Sequence, residues 1–395
     1  MFSKIREPNL IVRLIIAIIL GIGMGQITVI PENVFRSIVT IASGFSTFLN
    51  FIIPLMIIAF IVKGVAELTE NAGKLLAITA GIAYSSTVCA GMFAFFSSKA
   101  IFPSFITNEM VQTLKNQEAI LTPYFMIPLS PMLDVTSAVL FSFILGLGIS
   151  SLRKKGKGQA LFEIFSDFNT IILNILERIV IPFLPIYIFS NFLNLSYSGQ
   201  VFTILIIFGK VFGIILLLHL IYLVFMFSVA GILNKKNPLV YLKNQIPGYL
   251  TAIGTQSSAA TIPVNLLCAE KNGTSQELRQ FVIPLSATIH LAGSMITITS
   301  CVTAITLMFE LPLSMTTALG FIMILGIAMV AAPGAPGGAI MSALPFLPIV
   351  GITAGVMQEL AISLYITQDS FGTAANVSGD NALLLIIEKI ASRLK

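Results

Sequence analysis

The feature that most constrains this chain is a succession of long apolar stretches, at roughly 9–27, 39–65, 75–100, 132–152, 170–195 and 200–233, joined by short polar connections. A helix rises 1.5 Å per residue and the hydrocarbon core of a bilayer is about 30 Å thick, so about 20 apolar residues cross it. Each stretch is therefore a candidate membrane span. Charged residues make up only 10% of positions, against roughly a quarter in a soluble domain. The chain lacks the polar surface that a water-facing fold needs, and it reads as an all-α polytopic membrane protein.

The basic residues cluster in the connections: Lys4 and Arg6; Lys63 and Lys74; Arg153, Lys154, Lys155 and Lys157; Lys235, Lys236 and Lys243; Lys389, Arg393 and Lys395. Cytoplasmic loops are enriched in Lys and Arg, so an N-terminus on the cytoplasmic side puts every cluster inside in turn. The long 101–131 connection, with Glu109, Lys115 and Glu118, then lies outside, as does the Asn/Ser-rich 191–200 segment. The expectation is a multi-pass protein of the cell (inner or plasma) membrane with both termini cytoplasmic. No soluble basic face exists for a nucleic acid to bind. Cys89, Cys268 and Cys301 show no paired spacing and read as packing residues. With only two histidines, a zinc or haem site is not indicated. The segment Leu10–Gly25 lacks a small-x-small cleavage site and reads as a retained first span rather than a signal peptide.

Beyond residue 236 the pattern changes. Residues 244–269 are mildly apolar but interrupted by Pro247, Gly248, Gly254, a Ser/Thr/Ala cluster and Pro263. A long span at about 278–309 follows, then a second interrupted segment at 311–348, broken at Ala332-Pro-Gly-Ala-Pro-Gly-Gly338, and a last span at about 350–388. Non-helical backbone survives in a bilayer only when buried in protein or lining a watery cavity. Paired Gly/Pro-interrupted segments mark transporter binding sites. Each is expected to be a re-entrant helical hairpin, the first keeping Lys243 and Lys271 on one side.

The last span carries the most informative residues. Asp369, Thr373, Asn376 and Asp380 are spaced four, three and four apart, which stacks them on one helical face. Carboxylates inside a span are costly and default to a functional role. They suit a hard cation or an ammonium group. No Lys or Arg occurs between Arg279 and Lys389 to neutralise them. Asp369 and Asp380 are about 16 Å apart along the axis at 1.5 Å per residue, too far to share a proton, which argues against a membrane-embedded aspartyl enzyme. A phosphate-binding Gly-x4-Gly-Lys-Ser/Thr loop is missing, so ATP-driven transport has no support. A passive anion channel is disfavoured by the lack of intramembrane cations.

Three segments carry a resemblance. Thr255-Gln-Ser-Ser-Ala-Ala-Thr-Ile-Pro263, Gly334-Ala-Pro-Gly-Gly338 and Thr373-Ala-Ala-Asn376-Val-Ser-Gly-Asp380 occur in this order around spans of the right length. In these the chain resembles the dicarboxylate/amino acid:cation symporters, the glutamate transporter homologues, over essentially its whole length. The resemblance implies a homotrimer in the lipid bilayer with about eight transmembrane helices plus two re-entrant hairpins, working by an elevator-type movement. It implies scaffold helices at 1–74 and 132–200, a transport-domain helix and extracellular connection at 75–131, and a transport core at 201–395. That core would hold hairpin 1 at about 238–275 and hairpin 2 at about 311–348, with hairpin 2 as the gate. Substrate binding is implied for Ser257, Ser258, Ser294, Gly334, Ala335, Pro336, Asp369, Gly372, Thr373 and Asn376. In that arrangement Asp369 pairs with an α-ammonium, and Asn376 with the hairpin-tip amides holds an α-carboxylate. Sodium would be met by Asn376, Asp380, Ser286 and Thr288, with no other cofactor.

The sequence also departs from the family pattern. Acidic-amino-acid members place an Arg just before the Thr matching Thr373, or in the first hairpin; here these positions are Gly372 and Gln256. A second carboxylate on the substrate then lacks its bidentate clamp, and leaving it buried and unpaired costs several kcal/mol. A small neutral amino acid such as serine, threonine or alanine is the expected cargo, with glutamate, aspartate or another dicarboxylate as the alternative. The family's Asn-Met-Asp-Gly motif reads His290-Leu291-Ala292-Gly293, and Tyr365 stands at another acidic position. One sodium site is expected to be lost, with Ser86 and Thr87 still offering hydroxyls. His290 is either a proton carrier or a neutral ring bonded in the vacated site. Lys210 and His219 are expected at trimer or domain boundaries. Asp167, Glu177 and Arg178 are expected on the cytoplasmic half of the fifth span, and Glu359 as a packing or gating group.

Overall fold

A computed structural model describes residues 10–27, 29–68, 74–107, 121–133, 135–199, 201–330, 337–353 and 355–392. All regular structure among them is helical. The first six spans are α1 (Leu10–Gly25), α2 (Glu32–Leu68), α3 (Lys74–Ile101), α4 (Val135–Arg153), the composite α5 (Gln159–Ile175) with α6 (Ile181–Tyr197), and α7 (Val201–Asn234). The helices cover the apolar stretches, but α2 begins seven residues before 39 and α5 eleven before 170. Glu109, Lys115, Glu118 and the two terminal basic clusters, except Lys389, lie outside the described residues.

A π-helical turn, Leu176–Val180, joins α5 to α6 just ahead of Pro182 and Pro185. Proline has no N–H to give to the preceding turn, and a wider turn is one way for a continuous helix to absorb that loss. The α7 helix shows how a span meets two environments. Val201, Ile204, Ile207, Val211, Ile215, Leu218 and Tyr222 are buried, while Phe202, Ile206, Leu217, Leu220, Ile221 and Val224 are exposed. One stripe at helical spacing packs inward and the other is equally apolar, as lipid requires.

Hairpin 1 consists of α8 (Pro238–Thr255) and α9 (Ser258–Lys271). Asn237 caps α8 through Leu239 N–H, and Ser257 caps α9 through Ala260 N–H at 3.2 Å. Between them Gln256 takes a left-handed conformation, φ 54°, which lets the chain reverse within two residues. At the base, Asn244 Nδ2 donates to Asn272 Oδ1 at 2.9 Å and to Lys271 O at 3.3 Å. The two arms therefore return to the same level, as expected for a re-entrant segment.

The seventh span is broken into α10 (Gln276–Ile289) and α11 (Ala292–Met308). His290 and Leu291 leave the helical region, with ψ of 95° and 49°. The α11 helix is the innermost element, buried on all sides from Ala292 to Thr306. Hairpin 2 begins with α12 (Met315–Val330) and returns through α13 (Gly338–Ala343) and a 3-10 segment, Leu344–Val350, tightened by Pro345 and Pro348. Its tip, with Gly334, Ala335 and Pro336, lies outside the described residues. The last span is likewise broken, into α14 (Val356–Ile366) and α15 (Asp369–Ser392).

The helices pack in two groups. In one, α1 lies along α6, and α2 packs on α4, α5 and α6. In the other, α15 is surrounded by α7, α8, α9, α10 and α11, while α3 covers α11 and α12. The groups meet where α2 touches α12, α13 and the segment Leu344–Val350, where that segment touches α4, and where α6 touches α14 and α7. Four described stretches are by themselves long and apolar enough to cross a membrane: Ala77–Ser104, Gln159–Tyr197, Val201–Asn234 and Gln276–Met308. The 37-residue α2 and the 19-residue α4 are also long, while α1, α12, α13 and α14 are shorter, so length alone does not yield the expected count of eight.

Candidate functional site

The two breaks, at His290–Leu291 and at Thr367–Gln368, bring the open ends of α11 and α15 together. The first residues of a helix have N–H groups with no partner inside it. On α11 these are met by a side chain of α15. Asn376 Oδ1 accepts from Gly293 N–H at 2.8 Å and from Ser294 N–H at 3.1 Å. Two donors on one atom fix that atom as the carbonyl oxygen, leaving Asn376 Nδ2 to donate to Ser294 Oγ at 2.9 Å. This proximity depends on glycine at 293, because a Cβ there would stand 2.4 Å from Gly372 O and 2.6 Å from Ala375 Cβ.

The network continues to Asp369. The Tyr365 hydroxyl donates to Asp369 Oδ1 at 2.8 Å and lies 3.1 Å from Ser294 Oγ. Gly337 N–H, at the inner end of the hairpin 2 tip, donates to Asp369 Oδ2 at 2.6 Å. Asp369, Ser294, Tyr365 and Asn376 are all buried. Asp369 thus joins α15, α14, α11 and hairpin 2 at one point. Gly337 sits at φ 75°, a left-handed backbone that glycine adopts without strain.

Asp380 belongs to a second cluster one level down α15. Its Oδ1 accepts from His290 Nδ1 at 2.9 Å, and His290 Nε2 lies 2.9 Å from Ser86 Oγ. A carboxylate can only accept, so Nδ1 carries a hydrogen. Ser86 Oγ is 2.6 Å from the Tyr222 hydroxyl, which donates to Ser86 O at 2.9 Å. Four elements, α3, α7, α10 and α15, therefore converge on His290. Asp380 Oδ2, Ser286 Oγ and Thr87 Oγ1 are buried with no hydrogen-bond partner.

The structure brings some of the residues singled out from sequence together and leaves others apart, while Gly334, Ala335 and Pro336 lie outside the described residues. Asn376 and Ser294 meet directly, Asp369 reaches Ser294 through the Tyr365 hydroxyl, and Asp380 meets His290. Thr373 is buried on α15, and Ser258 is buried at the start of α9, with Ser257 partly so. Gly372 faces Thr297 Oγ1, to which an added Cβ would come within 3.4 Å. The Thr288 hydroxyl does not join Asp380; it turns back to Leu285 O at 2.8 Å on an exposed face. His219 is not at a boundary. It is buried on α7, with Nε2 2.9 Å from Gly293 O and 3.0 Å from Thr297 Oγ1. Lys210 is exposed and stands over the Phe105 ring, Asp167 is exposed, and nothing is described of the Glu177 side chain. Cys268 and Cys301 are buried, whereas Cys89 is exposed.

Sequence reasoning missed an amide cluster that holds hairpin 1 against α15. Asn265 Nδ2 donates to Val377 O at 2.9 Å, Gln245 Nε2 to Asn265 Oδ1 at 2.9 Å, and Asn381 Nδ2 to Gln245 Oε1 at 2.8 Å. The available signal was the set of amides within apolar segments, since a buried amide needs partners. The sequence marks Tyr365 only as standing at an acidic position of the family pattern; nothing in it shows that its hydroxyl would bond Asp369.

Paired re-entrant segments closing on two broken spans, with a carboxylate at their meeting point, define the class: a membrane transporter of the broken-helix type. Sequence comparison gives the family. The Sodium:dicarboxylate symporter family matches residues 10–390, and the chain belongs to it, with the helical, multi-pass membrane fold of the glutamate transporters. It is similar to Excitatory amino acid transporter 1 of Ambystoma tigrinum, 25% identical over 375 residues, which cover 86% of this chain and 66% of that protein. Excitatory amino acid transporter 1 of Rattus norvegicus is 25% identical over 265 residues, covering 64% and 46%. Excitatory amino acid transporter 3 of Bos taurus is 27% identical over 271 residues, covering 66% and 49%. The chain thus spans 46% to 66% of the length of these curated relatives.

Proposed function

We propose that this protein is a secondary symporter that carries an amino acid or related carboxylate across the membrane with a cation. The observation that carries the reading is Asp369. A buried carboxylate on a broken span, bonded at once to Gly337 of hairpin 2 and to Tyr365, suits a substrate ammonium and couples its binding to the gate. Asn376, Ser294, Thr373 and Ser258 then surround the rest of the substrate, joined by Gly334, Ala335 and Pro336 of the hairpin 2 tip. The family's name and those of the relatives weigh toward a dicarboxylate or acidic amino acid such as glutamate or aspartate, and against the small neutral cargo expected from sequence.

A specific observation favours the second reading, a small neutral amino acid. Gly372 and Gln256 stand where acidic-substrate members carry an arginine, and no Lys or Arg lies between Arg279 and Lys389. A second substrate carboxylate would then have only hydroxyls and backbone N–H groups to meet it. Sodium is the coupling ion that the family name favours, moving with the substrate as cargo near Asp380, Asn376 and Ser286. The bond between His290 and Asp380 is the observation in favour of a proton at that level. A trimer with both termini cytoplasmic, in which the group around α15 moves against the group around α2, completes the proposal.

The test is uptake of labelled serine, threonine, alanine, glutamate and aspartate into proteoliposomes under imposed sodium or proton gradients. Gradient-independent rates for every substrate would refute coupled symport. Glutamate uptake that serine competes poorly would select the acidic cargo. Gly372→Arg separates the two readings further. If the cargo is neutral, the variant gains acidic-substrate uptake at least tenfold relative to serine; if it is already acidic, the ratio stays unchanged.

A further inference from the structure

The buried histidine of α7 makes contacts that neither packing nor the proposed coupling requires. His219 Nε2 faces the carbonyl oxygen of Gly293 at 2.9 Å. A carbonyl only accepts, so Nε2 carries the hydrogen and the ring is held in one tautomer. The Thr297 hydroxyl donates to the same oxygen at 3.2 Å and lies 3.0 Å from Nε2. Its one hydrogen is therefore committed to Gly293 O, so the single imidazole N–H is shared between that oxygen and the Thr297 lone pair. The Gly293 carbonyl is pinned by two donors at once. His219 Nδ1, fully buried, has no partner. An apolar residue of similar size would avoid the cost of that bare nitrogen.

The geometry points to a reason for accepting that cost: we infer that His219 is a positioning residue for the substrate site, acting through the peptide groups at 293–294 on Asn376. Gly293 is clasped from two sides. On one side its Cα lies against Gly372 O and Ala375 of α15. On the other its carbonyl is held by α7. Its N–H and that of Ser294 then converge on Asn376 Oδ1, and Ser294 Oγ receives Asn376 Nδ2 while lying beside Tyr365. A backbone at a helix break has no hydrogen-bonded turn before it to hold its orientation. The His219 bond takes that role and fixes where the two N–H groups aim. This inference rests on the proposed placement of the substrate at Asn376 and Asp369.

The test compares His219→Leu with His219→Gln, whose side-chain amide keeps a donor at nearly the Nε2 position. Amide hydrogen exchange at residues 293–294 in the purified protein reads the positioning without any substrate. Leu is expected to speed exchange there at least tenfold, while Gln stays within threefold of wild type. Equal exchange in all three overturns the inference. Transport is read with labelled serine and glutamate as probes. The expected result is a tenfold or greater rise in KM for the transported probe with Leu, restoration with Gln, and a Vmax changed less than KM. A fall in Vmax alone, or an equal defect in both variants, would reduce His219 to packing. A cycle of His219→Leu with Asn376→Ala closes the argument: coupling through Asn376 requires non-additive effects on affinity, and additivity overturns it. If Asn376→Ala by itself leaves affinity unchanged while exchange at 293–294 still responds to His219, the substrate placement has failed and the backbone contact has not.

Discussion

Both carboxylate oxygens of Asp369 are engaged by the protein itself, one by the Tyr365 hydroxyl and one by Gly337 N–H. An incoming ammonium must displace or share one of these bonds, so affinity at this residue is a difference between two sets of hydrogen bonds. The charge is what favours the ammonium, since a charge-assisted bond is roughly twice as strong as a neutral one. Asp369→Asn keeps the shape and removes the charge. Losing one partner of a buried charge pair costs about 2–5 kcal/mol, so substrate affinity is expected to fall about 30-fold or more, measured by binding to the purified protein. Unchanged affinity in Asn would move the ammonium elsewhere. The spacing of Asp369, Thr373, Asn376 and Asp380 made this face legible from sequence. The partners that saturate it were not legible, because Tyr365 and Gly337 approach through the chain's return and not through periodicity. Thr288 misled for the complementary reason: matching a motif position says nothing about whether a hydroxyl prefers its own helix carbonyl.

Breaks and hairpins show the same division at the scale of elements. Proline and glycine made hairpin 1 and hairpin 2 readable, since both interrupt a helix for known reasons. The break at His290–Leu291 holds neither residue and is set by tertiary contact, the docking of Gly293 on Gly372. That docking predicts a sharp intolerance. In Gly293→Ala the new Cβ would meet backbone at Gly372 O, which cannot swing aside as a side chain would. Overpacking of this sort costs about 1–3 kcal/mol, so thermal unfolding should occur at lower temperature, whereas Gly320→Ala, which meets nothing within 4 Å, should leave it unchanged. Hairpin 1 depends on the cluster of Gln245, Asn265 and Asn381 instead of on shape alone. Replacing Asn265 with Leu takes the side-chain donor from Val377 O and strands Gln245 Nε2, each unsatisfied group costing about 1–3 kcal/mol. The expected outcome is a hairpin that parts from α15 more often, read as faster maleimide labelling of Cys268, which is buried on α9. Labelling at the wild-type rate would mean that apolar packing alone holds the hairpin.

At the scale of the whole molecule, the two packing groups differ in what joins them. Within the group around α15, hydrogen bonds between buried side chains and backbone tie hairpin 1, the seventh span, α7 and hairpin 2 to one helix. Between the groups the contacts are mainly apolar, as α2 meets α12, with the Glu359 carboxyl of α14 lying against the Tyr187 hydroxyl of α6. Apolar surfaces slide without leaving polar groups unpaired, while a directional network does not. If the group around α15 moves against the other, as proposed, this network carries it as one body and the contact between α14 and α6 must change. Cysteines in place of Tyr187 and Glu359, in a background lacking Cys89, Cys268 and Cys301, test this directly. Oxidation to a disulfide is expected to stop uptake while the purified protein still binds substrate, and reduction is expected to restore uptake. Uptake that continues with the cross-link formed would show that the two groups hold their relative position through the cycle, and that the hairpins alone provide access to the site from both sides.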